Sequence, residues 1–331
     1  MKKKLIMTMM VLFAAASVAA CGGSGAKSPT ESAEAESEIK EESSDAKTDA
    51  QTGKDLASGD ISESSDAGSG EDDKSTDISY ILSHGMVLEN EEADLSSLST
   101  EQIDWGMGPD RDDLGRPVTA MNFQEEYGKY GVNFIDPSGD KVIYLTFDSG
   151  YENGYTDTIL DTLKEKDVTG VFFITGYYAQ TEEDHVRRMI DEGHILGNHT
   201  QNHPSDGMSA HSIEYQTKEV MESQEYVKEH YDYDMYLFRY PSGNFNIQSL
   251  ALMNNLGFRT LFWSSAYTDW DPENQMDHEE ALSLLKEKLH PGAIYLLHAV
   301  SETNAAILGD FIDYVREEGY EIKSPLYLVM D

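Results

Sequence analysis

Val142-Ile143-Tyr144-Leu145-Thr146-Phe147-Asp148-Ser149-Gly150 is the stretch on which the fold turns. It is a short apolar run closed by a carboxylate, a hydroxyl and a glycine. Downstream, further short apolar runs recur at Gly170–Thr175, His194–Asn198, Met235–Arg239, Thr260–Ser264 and Ala293–Leu297, with a last candidate at Leu326–Val329. Between them the period changes to that of a helix. Ile307, Leu308, Phe311, Ile312 and Val315 fall on one helical face; Leu282, Leu285 and Leu289 do the same, and Ile213, Val220 and Val227 recur every seven residues. Strands alternating with helices of this length imply a parallel sheet covered by helices, in an open sheet or a barrel of six to seven strands.

The ends of these runs carry the chemistry. Asp148, His199, Arg239, Asp269 and His298 each follow or end a predicted strand. That edge is where ligands and catalytic groups gather in α/β sheets and barrels. Strands must end in something, so one or two polar residues there would mean little. Five of these types are harder to assign to chance.

His199-Thr200-Gln201-Asn202-His203 offers two imidazoles four residues apart, which a helical turn would bring to one side as metal ligands. Pro204 and Asp206 make the segment a loop or a single turn. The other histidines, such as His185, His230 and His278, read as solvated residues on helices. Asp148 before Gly150 suits a base placed where backbone approaches a ligand. Arg239-Tyr240-Pro241-Ser242-Gly243 adds a cation on a rigid turn, able to hold Asp148 ionised. His298 is a candidate general acid.

Ahead of the catalytic stretch the chain changes character. Met1-Lys2-Lys3-Lys4, a short apolar segment Leu5 to Val18, and Val18-Ala19-Ala20-Cys21 form a signal-peptide pattern, too short for a comfortable span. The small residues before Cys21 resemble a lipobox, which implies cleavage after residue 20 and acylation of the chain's one cysteine. Residues 21–79 are acidic and Ser-rich and read as a disordered tether reaching about 40–45 Å as a random coil. Residues 80–139, with turn signals at Trp105-Gly106, Gly115-Arg116-Pro117 and Pro137-Ser138-Gly139, read as an N-terminal extension packed on a catalytic domain at 140–331.

Of 62 acids and 24 bases, 16 acids and 5 bases lie in the tether and three lysines, Lys2 to Lys4, in the signal peptide, leaving 46 acids against 16 bases in 80–331. So few dispersed bases exclude a nucleic-acid surface and argue against docking on an anionic bilayer through charge. The membrane would be reached only through the lipid, and a monomer at its outer face, reaching into the cell wall, is the expected state.

Thr146-Phe147-Asp148-Ser149-Gly150, His199-Thr200-Gln201-Asn202-His203, Arg239-Tyr240-Pro241-Ser242-Gly243, Asp269-Trp270 and Leu296-Leu297-His298 occur in the order of the five motifs of the polysaccharide deacetylases. This is the NodB-homology domain, carbohydrate esterase family 4, and the resemblance runs over about 140–331. With Tyr151-Glu152-Asn153-Gly154-Tyr155-Thr156 it is most similar to the delta-lactam-biosynthetic de-N-acetylases, which act on N-acetylmuramic acid of peptidoglycan.

The resemblance implies a distorted (β/α) barrel and a set of roles. His199 and His203 would hold a divalent metal, zinc or another transition metal, that polarises the acetamide carbonyl. Asp148 would be the base, His298 the acid, and Arg239 the group that orients Asp148. Tyr151, Pro241, Ser242, Trp270 and Leu296 would contact substrate, with a backbone N–H near Ser242 facing the oxyanion. The family pattern has a second aspartate where this chain has Ser149; the muramic-acid subfamily lacks it too, carrying Asn. Weak metal binding is therefore expected. The family often has an aspartate at position 266 as well, occupied here by Ala266, which leaves Asp269 as the candidate partner of His298. Competing readings are a deacetylase of N-acetylglucosamine or another acetylated polysaccharide, and a glycan-binding pseudoenzyme.

Overall fold

A computed structural model describes residues 78–326 and 328, all within the compact unit Gly68–Asp331. The expected signal peptide and all but two residues of the expected tether lie outside the described residues. In chain order the strands are β1 (Ile103–Asp104), β2 (Val132–Asn133), β3 (Val142–Ser149), β4 (Val171–Ile174), β5 (Ile195–Asn198), β6 (Leu237–Phe238), β7 (Asn244–Phe245), β8 (Arg259–Leu261), β9 (Ser265–Ala266), β10 (Ala293–His298) and β11 (Glu321–Ile322). β1 and β7 form a small antiparallel pair. The other nine make one sheet in the order β2-β8-β6-β5-β4-β3-β10-β9, every ladder parallel, with β11 on β3.

That order follows the chain outward from β3 to β8 on one side and returns through β10 and β9 on the other. Only Phe262–Ser264 join β8 to β9, yet β9 pairs with β10, on the far side of β3. The sheet curls into a half-barrel whose seam falls at this short connection. Helices α1 (Ile78–His84), α2 (Val118–Tyr127), α3 (Thr156–Glu165), α4 (Gly176–Thr181), α5 (Glu183–Asp191), α6 (Ile213–Tyr231), α7 (Ile247–Asn255), α8 (His278–Glu287) and α9 (Glu302–Glu317) complete the fold. None of the described helices is long and apolar enough to cross a membrane.

The pleat decides what faces where, because successive side chains alternate between the two faces of a strand. Ile143, Leu145 and Phe147 belong to the large cluster that also holds Ile159, Leu160, Ile307 and Phe311 of the covering helices. Val142 and Tyr144 point the other way, with Phe173, Ile195, Leu237, Leu261 and Ile294, into a smaller inner cluster. The same parity carries Asp148, His199, Arg239 and His298 onto the inner face. The catalytic candidates therefore sit above an apolar plug, at the C-terminal mouth of the half-barrel.

Residues 80–139 share this core. β2 extends the sheet beside β8, and Trp105, Phe123, Tyr127 and Phe134 pack with Phe245 and Phe262, Phe134 stacking on Phe262 at 4.6 Å. The periodic face of α9 (Ile307, Leu308, Phe311, Ile312, Val315) is buried throughout. The strand expected at Leu326–Val329 does not occur among the described residues. Leu326 and Leu328 are helical, the other two positions of that span, 327 and 329, lie outside the described residues, and the last strand among the described residues is the shorter Glu321–Ile322. The expected Thr260–Ser264 strand likewise stops at Leu261, the end of β8, and β9 begins only at Ser265, because the chain crosses the seam between them.

Candidate active site

Parallel register brings the polar groups level. Asp148 lies directly opposite His298 across the β3–β10 ladder. Ser149 and Asn198 both stand opposite Ile174, and Asn198 opposite Phe238, so His199 and Arg239 each follow a strand end at the same height.

Arg239 is the anchor of the cluster and is fully buried. Its Nη1 donates to Asp148 Oδ1 at 2.8 Å, Nε to the carbonyl of Leu261 at 2.9 Å and Nη2 to that of Phe262 at 3.2 Å. Its guanidinium lies 4.1 Å above the ring of Phe173. That ring in turn occupies the space over Gly197, where any Cβ would come within 2.4 Å of it. A glycine in β5 thus seats the phenyl ring that seats the arginine. Burial works against ionisation of Asp148, but Arg239, then His199 and His298, hold its carboxyl below the usual range.

His199 is also buried. Its Nδ1 lies 2.9 Å from the carbonyl of Arg239. A carbonyl only accepts, so Nδ1 carries the proton and Nε2, 3.6 Å from Asp148 Oδ2, keeps its lone pair. Burial, opposed by Asp148, lowers this imidazole to about 4, so it is neutral at ordinary pH.

The rings of His199 and His203 approach to 4.9 Å between centroids, but no helical turn does it. Thr200 and His203 have φ of +67° and +50°. A β-branched residue at positive φ is a rare, strained conformation, costing roughly 1–3 kcal/mol. The loop is held by a residue that sequence reasoning missed. Glu219, buried in α6, accepts from Asn202 N–H and from its side-chain amide, both at 2.9 Å, while its own carbonyl accepts from Gln201 N–H at 2.8 Å. The hint was there: a carboxylate beside Val220, on a helix whose period points inward.

The second half of the site is centred on Asp269, which is buried. Its Oδ1 lies 2.7 Å from His298 Nδ1, and its Oδ2 accepts from the backbone N–H of His298 at 2.8 Å. Asp269 thus fills the partner position that Ala266 leaves open. Burial would lower the His298 imidazole, but the charge and hydrogen bond of Asp269, then Asp148, raise it above its usual value. With Nδ1 taken, Nε2 is the free nitrogen.

Among the remaining sequence candidates, Leu296 lies on the inner face and Pro241 and Ser242 form the turn after Arg239, with Ser242 at φ +58°. Tyr151 and Trp270 are 45% and 59% exposed, two and one residues past β3 and Asp269 respectively. The other histidines correct the solvated reading in part. His194 and His290 are buried, each lowered to about 4 by burial. His185 is half-buried among Glu152, Asp157 and Glu182.

A metal fits this site incompletely. Two imidazole rings meet edge to face, and in one of them a backbone carbonyl holds the Nδ1 proton and so leaves the lone pair on Nε2, the arrangement that orients metal-binding histidines. Ser149 Oγ, beside Asp148 where the resemblance leads one to expect a further ligand, is buried and makes no hydrogen bond. No group of three or more His, Cys, Asp or Glu able to hold a metal occurs among the described residues.

Comparison with known proteins decides the family. The polysaccharide deacetylase model matches residues 136–261. The chain is 37% identical over 244 residues to the peptidoglycan-N-acetylmuramic acid deacetylase PdaA of Bacillus subtilis, covering 72% of this chain and 90% of that protein. It belongs to the polysaccharide deacetylases. An uncharacterised Geobacillus stearothermophilus protein is 40% identical over 237 residues, covering 71% of this chain and 88% of that one. The solved structure of B. subtilis PdaA, a family 4 carbohydrate esterase, superposes with a TM-score of 0.65 at 37% identity, covering 70% of this chain and 98% of that one. A family 4 carbohydrate esterase from Bacillus anthracis superposes at 0.57 with 36% identity, covering the same 70% and 98%. As a polysaccharide deacetylase the chain is a hydrolase, and its half-barrel follows the family.

Proposed function

We propose that this deacetylase removes the N-acetyl group from N-acetylmuramic acid of peptidoglycan at the outer face of the cytoplasmic membrane. The single observation that carries the catalytic part is the in-register pair Asp148 and His298. One is fixed and ionised by Arg239, the other fixed by Asp269, and both stand at the mouth of the half-barrel. The muramic-acid assignment rests on the kinship with PdaA and on Ser149 occupying the position where the family resemblance leads one to expect an aspartate.

Asp148, ionised and with Oδ2 free of the arginine, takes a proton from water as its oxygen bonds to the acetamide carbon. The charge developing on the carbonyl oxygen is met by a backbone N–H in the Pro241–Gly243 turn. His298, protonated, gives its Nε2 proton to the sugar nitrogen as the C–N bond breaks, leaving acetate and a free amine. Arg239 keeps Asp148 in its rotamer throughout. Tyr151, Trp270 and Leu296 offer apolar surface for the sugar and acetyl methyl. His199 and His203 would hold a divalent ion, which when bound supplies Lewis-acid polarisation; with Ser149 in place of a carboxylate the ion is held weakly.

The chain would reach its substrate as a lipid-anchored monomer, acylated at Cys21, with residues 22–79 as a tether. The test is incubation of the purified protein with peptidoglycan, with and without a chelator. Acetate release that a chelator suppresses and a transition metal restores supports both the activity and the metal. Glycan binding with no acetate release under any metal would leave a binding protein instead.

A further inference from the structure

The part of the site that the proposed roles leave unused is a buried polar cluster behind Asp269. Asn304, in the first turn of α9, is buried, and Tyr267 beside it is 9% exposed. Asn304 Nδ2 lies 2.6 Å from Asp269 Oδ2 and 3.1 Å from the carbonyl of His298, and its Oδ1 lies 2.5 Å from the hydroxyl of Tyr267. The orientation of the carboxamide is fixed by chemistry. Its nitrogen faces two acceptors and its oxygen faces a donor; turning the amide over would set an oxygen against a carboxylate and a carbonyl. Ser301 caps α9, its Oγ accepting from Asn304 N–H at 3.0 Å, so the turn that carries the amide is itself fixed.

Asp269 can orient His298 only if its carboxylate plane is held, since one oxygen serves Nδ1 and the other the backbone N–H of the same residue. We infer that Asn304, itself oriented by Tyr267, is a positioning residue for the general acid: it locks Asp269 and the His298 backbone together so that Nε2 faces the departing nitrogen. Asn304 touches neither substrate nor reacting atoms. Its effect is geometric, and displacements of about 1 Å at a reacting group cost on the order of 10²-fold in rate. This inference rests on the assignment of His298 as the acid.

The experiment compares Asn304→Ala, Asn304→Asp and Tyr267→Phe in the full-length protein by steady-state kinetics on peptidoglycan fragments and by proton NMR without substrate. The wild type should show a downfield imidazole proton from the His298–Asp269 hydrogen bond. In Asn304→Ala that resonance should be lost or broadened, and kcat should fall roughly 10- to 100-fold with KM changed less than about twofold. Asn304→Asp sets a second carboxyl against Asp269, where repulsion or a shared proton disturbs the same hydrogen bonds, and should lose at least as much; Tyr267→Phe keeps the packing, and a role in packing alone would leave its kcat near that of the wild type. Tyr267→Phe should give a smaller loss of kcat in the same sense. Folded Asn304 variants with wild-type kcat and an unchanged downfield proton would overturn the inference. If the wild type releases no acetate from any glycan, the acid role fails separately, and the NMR comparison alone decides whether Asn304 positions the ring.

Discussion

At the residue scale, Arg239 holds a buried carboxylate ionised, which is what the proposed role of Asp148 as base requires. Replacing it by Met removes three hydrogen bonds and leaves Asp148 buried without its cation, which should cost about 3–5 kcal/mol in denaturant unfolding and abolish turnover. The pH–rate profile of the intact protein should be a broad bell. Its acid limb belongs to Asp148, below the ordinary carboxylate range, and its alkaline limb to His298, above the ordinary histidine value. Activity that falls between those ordinary values would contradict both assignments. Much of this was legible in the sequence, because each of the five polar residues follows an apolar run and strand ends are where chemistry collects. The partner of His298 was only half legible: the spacing named Asp269 as a candidate but could not show its two oxygens dividing between ring and backbone.

At the scale of elements, the pleat explains why so few residues decide so much. Asp148, His199, Arg239 and His298 share one face because each continues the inward parity of its strand, a pattern readable once the strands are placed. The HxxxH segment is different. Its spacing suggested a helical turn, and the structure instead uses a strained loop with Thr200 and His203 at positive φ, tied down by Glu219 of α6. That tie spans 17 residues and leaves no local signal in the loop. Glu219→Ala should release it, costing about 1–3 kcal/mol of stability and weakening binding of a transition metal measured by calorimetry. Unchanged metal affinity would show that the loop holds its shape unaided. The half-barrel's seam was equally illegible, since Phe262–Ser264 read as the end of one strand rather than a crossing between two.

At the scale of the whole molecule, residues 80–139 and the catalytic stretch share one aromatic core, with Phe134 against Phe262, so truncation before Val142 should leave an insoluble product rather than a smaller enzyme. Acid stability follows from the buried histidines. His194 and His290 titrate near 4 when folded, against 6.5 when free. The unfolded chain therefore binds more protons between those values, and stability should fall as pH drops from about 6.5 to 4, by on the order of 3 kcal/mol for each. Urea midpoints across that range check it, and a flat profile would place both rings in contact with water. The central claim is tested most directly by muropeptide mass analysis. Peptidoglycan is treated with the wild type or with Asp148→Asn and then digested to single disaccharide units. The wild type should remove acetyl groups from muramic acid, and the folded Asp148→Asn protein should remove none. Acetyl loss confined to glucosamine, or equal loss with the variant, would contradict the account.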